Sequence, residues 1–192
     1  SPPASHSAPG LPIPFFTGVK EQVMLINGIG FATVARSESW FFRLLGTFLE
    51  RADKTSRVVD VKYHILLPTP ALVGTPMDYL HWSALLKSAS GFNTYRRQYG
   101  NLEASKVVDF LILNKIFPRS VFYCINHAEE CLRNISGNTN MGFTNNAEKA
   151  IGELRSKLEF ITVEEIIDIS NKVNDTFFQL KNNFASQNSM QE

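Results

Sequence analysis

The longest uninterrupted helical pattern in the sequence runs from Ser37 to Leu67 and ends at Pro68. Apolar side chains recur along it at the three- and four-residue intervals of an α-helix. They are Phe41, Leu44, Leu45, Phe48, Leu49, Ala52, Val59 and Tyr63. At ~1.5 Å per residue such a helix would be ~45 Å long. A helix of this length, apolar along one side, is typical of a helical bundle.

Shorter helical patterns occupy most of the remaining sequence. We expect helices over Thr17–Ala35, Asp78–Ala89, Leu102–Lys115, Pro118–Ile135, Asn145–Phe160 and Thr162–Phe184. Ser37 and Asn101 are predicted N-caps, and Thr162 with Glu165 forms a predicted capping box. No segment alternates with period two for long enough to predict a strand. The fold class is therefore all-α, a bundle of about six helices with one long central helix.

The aromatic and basic residues Tyr95-Arg-Arg-Gln-Tyr99 lie between Gly91 and Gly100. Such a composition suits base stacking. A loop with exposed arginines is the simpler interpretation, because the stretch is short and the whole chain carries a net charge of only +1.

The chain of 192 residues, 44% of them hydrophobic, is long enough for one domain with a real core. We predict a flexible arm rich in Pro and Ser over residues 1–16, a helical domain over 17–185, and a frayed tail over 186–192. The net charge near zero gives no general attraction to nucleic acid or to a membrane surface. No apolar run is long enough to cross a bilayer, and the first residues do not resemble a signal peptide. We therefore expect a cytoplasmic protein.

An ordered set of charged residues follows the long helix. Arg43, Glu50, Arg57 and His64 recur every seven residues, and Asp53 and Asp60 fall between them on the same face. Pairs such as Glu50–Lys54 and Asp53–Arg57 have the spacing of helix-stabilising ion pairs. Two interpretations remain open. The face is either exposed and carries surface ion pairs, or it is a buried network in which every charge needs a partner.

The same segment carries a resemblance to a known family. The runs Phe42–Gly46, Phe48–Asp53, Thr55–Arg57 and Asp60–His64 resemble the Glu-Arg signature of the alpha-E domains, a bacterial all-helical family. Later blocks, His81–Leu86 and Phe117–Ser120 with Cys124, are also similar. The resemblance covers roughly Ile29 to Phe184. Because family domains usually carry a second signature upstream, it implies that this chain corresponds to a C-terminal portion.

The resemblance also implies a role and a set of site residues. Alpha-E domains are associated with ATP-grasp ligases and transglutaminase-like proteins, which implies a non-catalytic module of a peptide-synthesis or peptide-modification system. The mixed charges of the signature suit a peptide or amino-acid ligand. The expected binding residues are Arg43, Glu50, Arg51, Asp53, Arg57, Asp60 and His64. The alternative is an enzyme acting on a small amine or peptide, with its acid–base residues between Glu50 and Asp60.

No other combination of residues indicates a catalytic or metal centre. Asp60 with His64, Asp78 with His81, and His127 with Glu130 each share a helix face. The paired Glu-x-x-His motifs of a di-metal bundle are missing, so we expect no metal and no cofactor. Cys124 and Cys131 lie seven residues apart on one helix, ~10 Å by its rise, too far for a disulfide. We expect buried free thiols, since no group is evident that would orient a Cys124–His127 pair.

Overall fold

The computed structural model describes residues 13–65, 74–140 and 142–169, with the backbone alone at 13 and 63–65. All regular structure within these ranges is helical, which confirms the all-α prediction. The helices are α1 (Ile13–Thr33), α2 (Glu38–Ile65), α3 (Pro76–Ser88), α4 (Phe92–Tyr99), α5 (Ala104–Val108), α6 (Val121–Ser136) and α7 (Asn146–Phe160). A π-helical turn, Asp109–Leu113, follows α5, and residues 163–169 are again helical.

The chain divides into two compact units, residues 1–40 and 41–192. In the first unit the guanidinium of Arg36 lies over the rings of Trp40 and Phe31, with its Cζ 3.8 and 4.8 Å from the ring centroids. The same guanidinium donates a hydrogen bond of 2.9 Å to the Phe31 carbonyl oxygen. These contacts fasten the turn after α1.

The long helix α2 places its buried side chains at intervals of three and four residues. Ala52, Thr55, Val59 and Lys62 are all less than 7% exposed. Val59 joins one apolar cluster and Ala52 joins another. Because it contributes to both clusters of the second unit, α2 is the long central helix that the sequence predicts. It has 28 residues, close to the predicted length.

The larger of those clusters is built mainly from α3, α4, α5 and the π-helical turn. Its fully buried members are Leu86, Tyr95, Val107, Val108, Phe110 and Leu111. The smaller cluster joins Ala52 to α6 and α7 through Cys124, Ile125, Ala128 and Ile151. The two clusters therefore meet α2 at Val59 and at Ala52, two turns apart on one face, and leave the rest of the helix surface to carry charge.

Several helix starts follow the expected capping chemistry. Ser120 caps α6 by accepting from the Tyr123 N–H, and Asn145 caps α7 by accepting from the Glu148 N–H. The capping box is confirmed: Glu165 accepts from the Thr162 N–H, and Thr162 accepts from the Glu165 N–H. The start of α3 lies earlier than predicted because Thr75 caps it and Pro76 occupies its first turn. Helix α1 begins at Ile13, within the range assigned to the arm.

Two predictions for the middle of the chain are wrong. The stretch Tyr95–Tyr99 is not a loop but most of α4, because Tyr95 is completely buried and its hydroxyl donates to the Asn101 carbonyl oxygen at 3.0 Å. The helix expected over Leu102–Lys115 is shorter and is divided into α5 and the π-helical turn. Asn101 does not cap it, since the N-cap position is Glu103.

Residues 1–12, 66–73, 141 and 170–192 lie outside the described residues. Most of the predicted arm, the residues around Pro68, the end of the last helix and the tail therefore remain predictions. The single domain expected over 17–185 also remains a prediction.

Candidate functional site

The charged face of α2 is exposed, so the first of the two interpretations describes it. The Nζ atom of Lys54 lies 2.5 Å from Oε1 of Glu50, and both side chains are more than 60% exposed. The Nε atom of Arg57 lies 2.9 Å from both carboxylate oxygens of Asp53, again on the surface. The signature therefore forms two short ion pairs along the helix and not a buried network.

These pairs keep the carboxylates ionised. The hydrogen bond from Lys54 lowers the pKa of Glu50, and the hydrogen bond from Arg57 lowers the pKa of Asp53. The pKa of Arg57 is raised in return, first by its hydrogen bond to Asp53. A general acid or base works best when its pKa lies near the working pH. The two carboxylates are shifted away from that condition.

The other predicted residues of this face occupy different surroundings. Arg43 is half-buried, and its backbone carbonyl accepts from the Thr47 hydroxyl at 2.9 Å. Asp60 is exposed and contributes to the raised pKa of Arg57. The side chain of His64 lies outside the described residues. Of the seven predicted site residues, Asp53, Arg57 and Asp60 therefore form one electrostatic group.

Arg51, the second residue of the Glu-Arg step, lines a cleft of about 370 Å³ together with Lys54 and Arg57, the cations of the two ion pairs. Arg51, Thr55 and Val58 follow one another at the spacing of a single helix face. The described residues of its lining are Arg51, Lys54, Thr55, Arg57, Val58, Ser88, Ala89, Leu111 and Arg119. Four of these nine residues are cationic, and the described lining contains no acidic residue. The cleft is therefore an electropositive hollow beside the signature.

A single hydrogen bond brings Arg119 to this cleft. The Thr55 hydroxyl donates to the Arg119 backbone carbonyl at 2.8 Å, across 64 residues of sequence. The turn that carries Arg119 is held by Asn114, whose Oδ1 accepts from the N–H groups of Ile116 and Phe117 at 3.0 and 2.8 Å. The Ser120 hydroxyl closes it by donating to the Asn114 carbonyl. Arg119 thus projects from a turn whose backbone is fixed to α2.

Neither the Arg51 nor the Arg119 guanidinium has a hydrogen bond or ion pair within the ranges that the structure describes. Both act electrostatically on Cys124, a buried thiol that donates to the Pro118 carbonyl oxygen at 3.6 Å. Burial outweighs their effect and raises the pKa of Cys124 to about 11. Burial therefore leaves the thiol unactivated despite the two neighbouring guanidinium groups.

A second hollow, of about 300 Å³, adjoins the first. It shares Arg57, Val58 and Ser88 with the cleft. The rest of its lining is Val61, His81, Ala84 and Leu85. It offers a mainly apolar wall next to the electropositive one.

The residues considered for metal binding are otherwise engaged. Asp78 pairs with Lys62, whose Nζ lies 2.7 Å from Oδ1. His127 pairs with Glu130 at 2.7 Å and stacks on Phe48. Among the described side chains, no three His, Cys, Asp or Glu residues are grouped to hold a metal ion. Cys124 and Cys131 are buried free thiols, as the sequence predicts.

Sequence reasoning missed part of the cleft. Lys54 was recognised only as a helix partner of Glu50, and Thr55, Ser88 and Arg119 were not expected in the site. The run Phe117-Pro-Arg-Ser120 does contain Arg119, but nothing in its local sequence indicates which residue of α2 it meets. Only the Thr55 hydrogen bond shows that relationship.

These observations define an all-helical domain with a surface Glu-Arg signature beside an electropositive cleft. The chain belongs to the Alpha-E family, described as a predicted alpha-helical domain with a conserved ER motif, whose model matches residues 4–190. Glu50-Arg51 is the one Glu-Arg step in the sequence. No curated protein and no solved structure matches the chain significantly. In the described ranges no helix is both long enough and apolar enough to span a membrane.

Proposed function

We propose that the chain is a non-catalytic helical module of a peptide-synthesis or peptide-modification system and works with an ATP-grasp-type ligase or a transglutaminase-like protein. The peptide-synthesis or peptide-modification system is inferred from the family resemblance. The observation that supports a binding role is the division of the signature: Glu50 is paired with Lys54 at the surface, while Arg51 lines a cleft whose described residues include no acidic side chain.

The ionisation of the site favours binding over acid–base catalysis. The pKa values of Glu50 and Asp53 are lowered by their ion-pair partners, so these groups hold no proton to donate near neutral pH. The buried thiols are poor nucleophiles because burial raises the pKa of both to about 11. An enzyme with its acid–base group between Glu50 and Asp60 would first have to break an ion pair.

The exposed ion pairs suit a protein partner. Glu50, Asp53, Lys54 and Arg57 present two acidic and two basic side chains, paired with each other, on the exposed surface of α2. Charges of this kind orient a partner and accelerate its association more than they add affinity. The partner would then lie beside the cleft that holds the ligand.

Reconstitution tests this function. A candidate ATP-grasp ligase from the same source would be assayed alone and together with the chain, and the chain would also be assayed alone. ADP release and mass spectrometry of amide products would be measured in each case. We expect product only when both proteins are present. Turnover of an amine or peptide by the isolated chain would instead establish the enzyme alternative.

Charge-swap variants identify the docking face. Exchanging the charges as Glu50→Lys with Lys54→Glu keeps an i,i+4 pair but inverts the surface pattern, and should weaken the ligase response. Lys149→Glu with Glu153→Lys is a matched control, since that exposed i,i+4 pair lies on α7. Equal responses of the two double variants would show that the signature face does not contact the ligase.

A further inference from the structure

The electropositive cleft and the apolar hollow lie side by side, and the two together are called the groove. They share the side chains of Arg57, Val58 and Ser88. The cleft lies toward Arg51 and Arg119, and the hollow lies toward Val61 and the α3 residues. An occupant of the whole groove must therefore carry an anionic group at one end and an apolar group at the other.

The charge balance of the described residues favours a small anion. Lys54 and Arg57 form ion pairs with Glu50 and Asp53, whereas no ion pair to Arg51 or Arg119 is formed by the residues that the structure describes. Guanidinium groups present parallel N–H donors that match the two oxygens of a carboxylate. One carboxylate between two arginines satisfies this arrangement.

The hydroxyl groups of the groove add a second requirement. The Thr55 hydroxyl donates to the Arg119 carbonyl, and the Ser88 hydroxyl donates to the Leu85 carbonyl at 2.7 Å. Their protons are committed, so toward a ligand both oxygens can act only as acceptors. A group with an N–H close to its carboxylate, as in the last residue of a peptide, complements this pattern.

We propose that the groove binds the free C-terminal end of a peptide whose last side chain is apolar. Arg51 and Arg119 hold the carboxylate, the hydroxyl oxygens of Thr55 and Ser88 accept from the peptide N–H, and the apolar side chain occupies the hollow beside Val58, Val61 and Leu85. This assignment deepens the proposed function and rests on its statement that the chain is a binding module.

Calorimetric titration of the full chain tests the anionic end. The probes are N-acetyl-Gly-Ala-Leu as the free acid, the same peptide as its C-terminal amide, and inorganic phosphate. We expect the amide to bind roughly tenfold more weakly than the acid or worse, since a charge-assisted contact is lost. Equal binding of acid and amide, no binding of the acid, or binding of phosphate alone would each overturn the proposal.

Variants assign the residues. Arg51→Gln and Arg119→Gln should each weaken the free acid roughly tenfold and leave the amide unchanged. Arg97→Gln is the control, because Arg97 is exposed on α4 and outside the groove. Arg51→Lys keeps the positive charge and controls for a folding defect at this position. It should bind the free-acid peptide more tightly than Arg51→Gln does. Unchanged affinity in both glutamine variants would overturn the assignment.

The apolar end needs its own comparison. N-acetyl-Gly-Ala-Leu should bind more tightly than N-acetyl-Gly-Ala-Gly, and Ala84→Glu, which places a charge in the hollow, should abolish that preference. A preference for the glycine-ended peptide would overturn the proposal. All these measurements use the isolated chain, so they can fail while the ligase still depends on it. Conversely, peptide binding without any ligase response would leave the groove assigned and refute the partnership.

Discussion

The Nζ atom of Lys62 lies 2.7 Å from Oδ1 of Asp78, although the two side chains are only 0% and 8% exposed. The ammonium group also lies 4.9 Å from the centroid of the Trp82 ring, and the Gly74 N–H donates to the other Asp78 oxygen at 3.1 Å. Burial alone would raise the pKa of Asp78, but the hydrogen bonds from Lys62 and Gly74 outweigh it and the pKa is lowered. The Asp78 carboxylate is therefore held ionised beside Lys62.

Lys62→Met should destabilise the chain strongly, because Asp78 would remain buried without its partner. Breaking a buried pair costs about 3–5 kcal/mol. For a chain of this size the melting temperature should fall by roughly 6–20 °C, which circular dichroism would measure.

Two controls accompany that variant. Lys54→Met removes an exposed lysine from the same helix and should have little effect. Lys62→Met combined with Asp78→Leu should lose less than the sum of the single changes, since neither charge is then left alone. Additive losses would show that the two groups do not depend on each other.

Glu50→Gln and Arg57→Gln should hardly change the melting temperature. Their side chains are mostly exposed, and each is paired with a neighbour on its own helix rather than with the other. We expect midpoints within about 2 °C of the wild type for the single variants and the double variant. A large drop would mean that the signature holds the fold together and does not simply present charge.

Gly91→Ala and Gly152→Ala should differ in their effect on the free energy of unfolding. A Cβ at Gly91 would lie 2.8 Å from Phe110 and 2.9 Å from Phe117, whose rings stack on each other in the core. Gly91→Ala should therefore cost about 1–3 kcal/mol by urea denaturation. A Cβ at Gly152 would meet Phe143, which is 47% exposed and can turn away.

Gly152→Ala should accordingly be neutral or slightly stabilising, because alanine favours a helix interior over glycine by about 1 kcal/mol. It serves as the matched control for Gly91→Ala. Similar losses in both variants would contradict the distinction between a packed and a movable phenylalanine.

The carboxylate of Glu148 should make stability depend on acid pH. Hydrogen bonds from the Ser136 hydroxyl and then the Thr144 N–H lower its pKa from 4.5 to about 2. Because the folded pKa lies below the unfolded value, this contribution is complete above pH 4.5 and is lost as the pH falls toward 2. The urea midpoint of the wild type should exceed that of Glu148→Gln at neutral pH, and the difference should shrink in acid.

Asp168→Asn is a useful reference for that titration, since it removes a carboxylate from the helical residues 163–169 without touching the Glu148 network. A Glu148→Gln difference that is the same at neutral pH and near pH 3 would refute the assignment of the acid dependence to Glu148.

The long periodic segments were predictable from sequence, and the short ones were not. The apolar pattern around Ala52 and Val59 repeats often enough to define the buried face of α2. Asn145 and Thr162 are residue types that favour the start of a helix, and both accept the hydrogen bond of an N-cap. Helix α4 was missed because its composition is polar, and only burial of Tyr95 against residues far along the chain explains it. Tertiary packing overrode local propensity there.

The site was predictable as a segment but not as a shape. The spacing of Glu50, Asp53 and Arg57 identifies a charged face, but spacing alone does not determine whether that face is exposed to solvent or buried. The structure shows an exposed face and adds the cleft, in which Arg119 joins Arg51. Lys62 is the opposite case: nothing in its local sequence indicates burial, yet it lies fully buried and forms an ion pair with Asp78.

The π-helical turn Asp109–Leu113 bears on how sequences of this family can differ in length. A π-helical turn holds one residue more than the α-helical turn it replaces. Phe110, Leu111 and Ile112 are buried in succession within this turn. A variant of this chain with one residue of the turn deleted should therefore wind as an ordinary α-helix at this point. The hydrogen bonds of Asn114, and with them the turn that carries Arg119, should then survive a change in length that would disrupt a regular helix elsewhere.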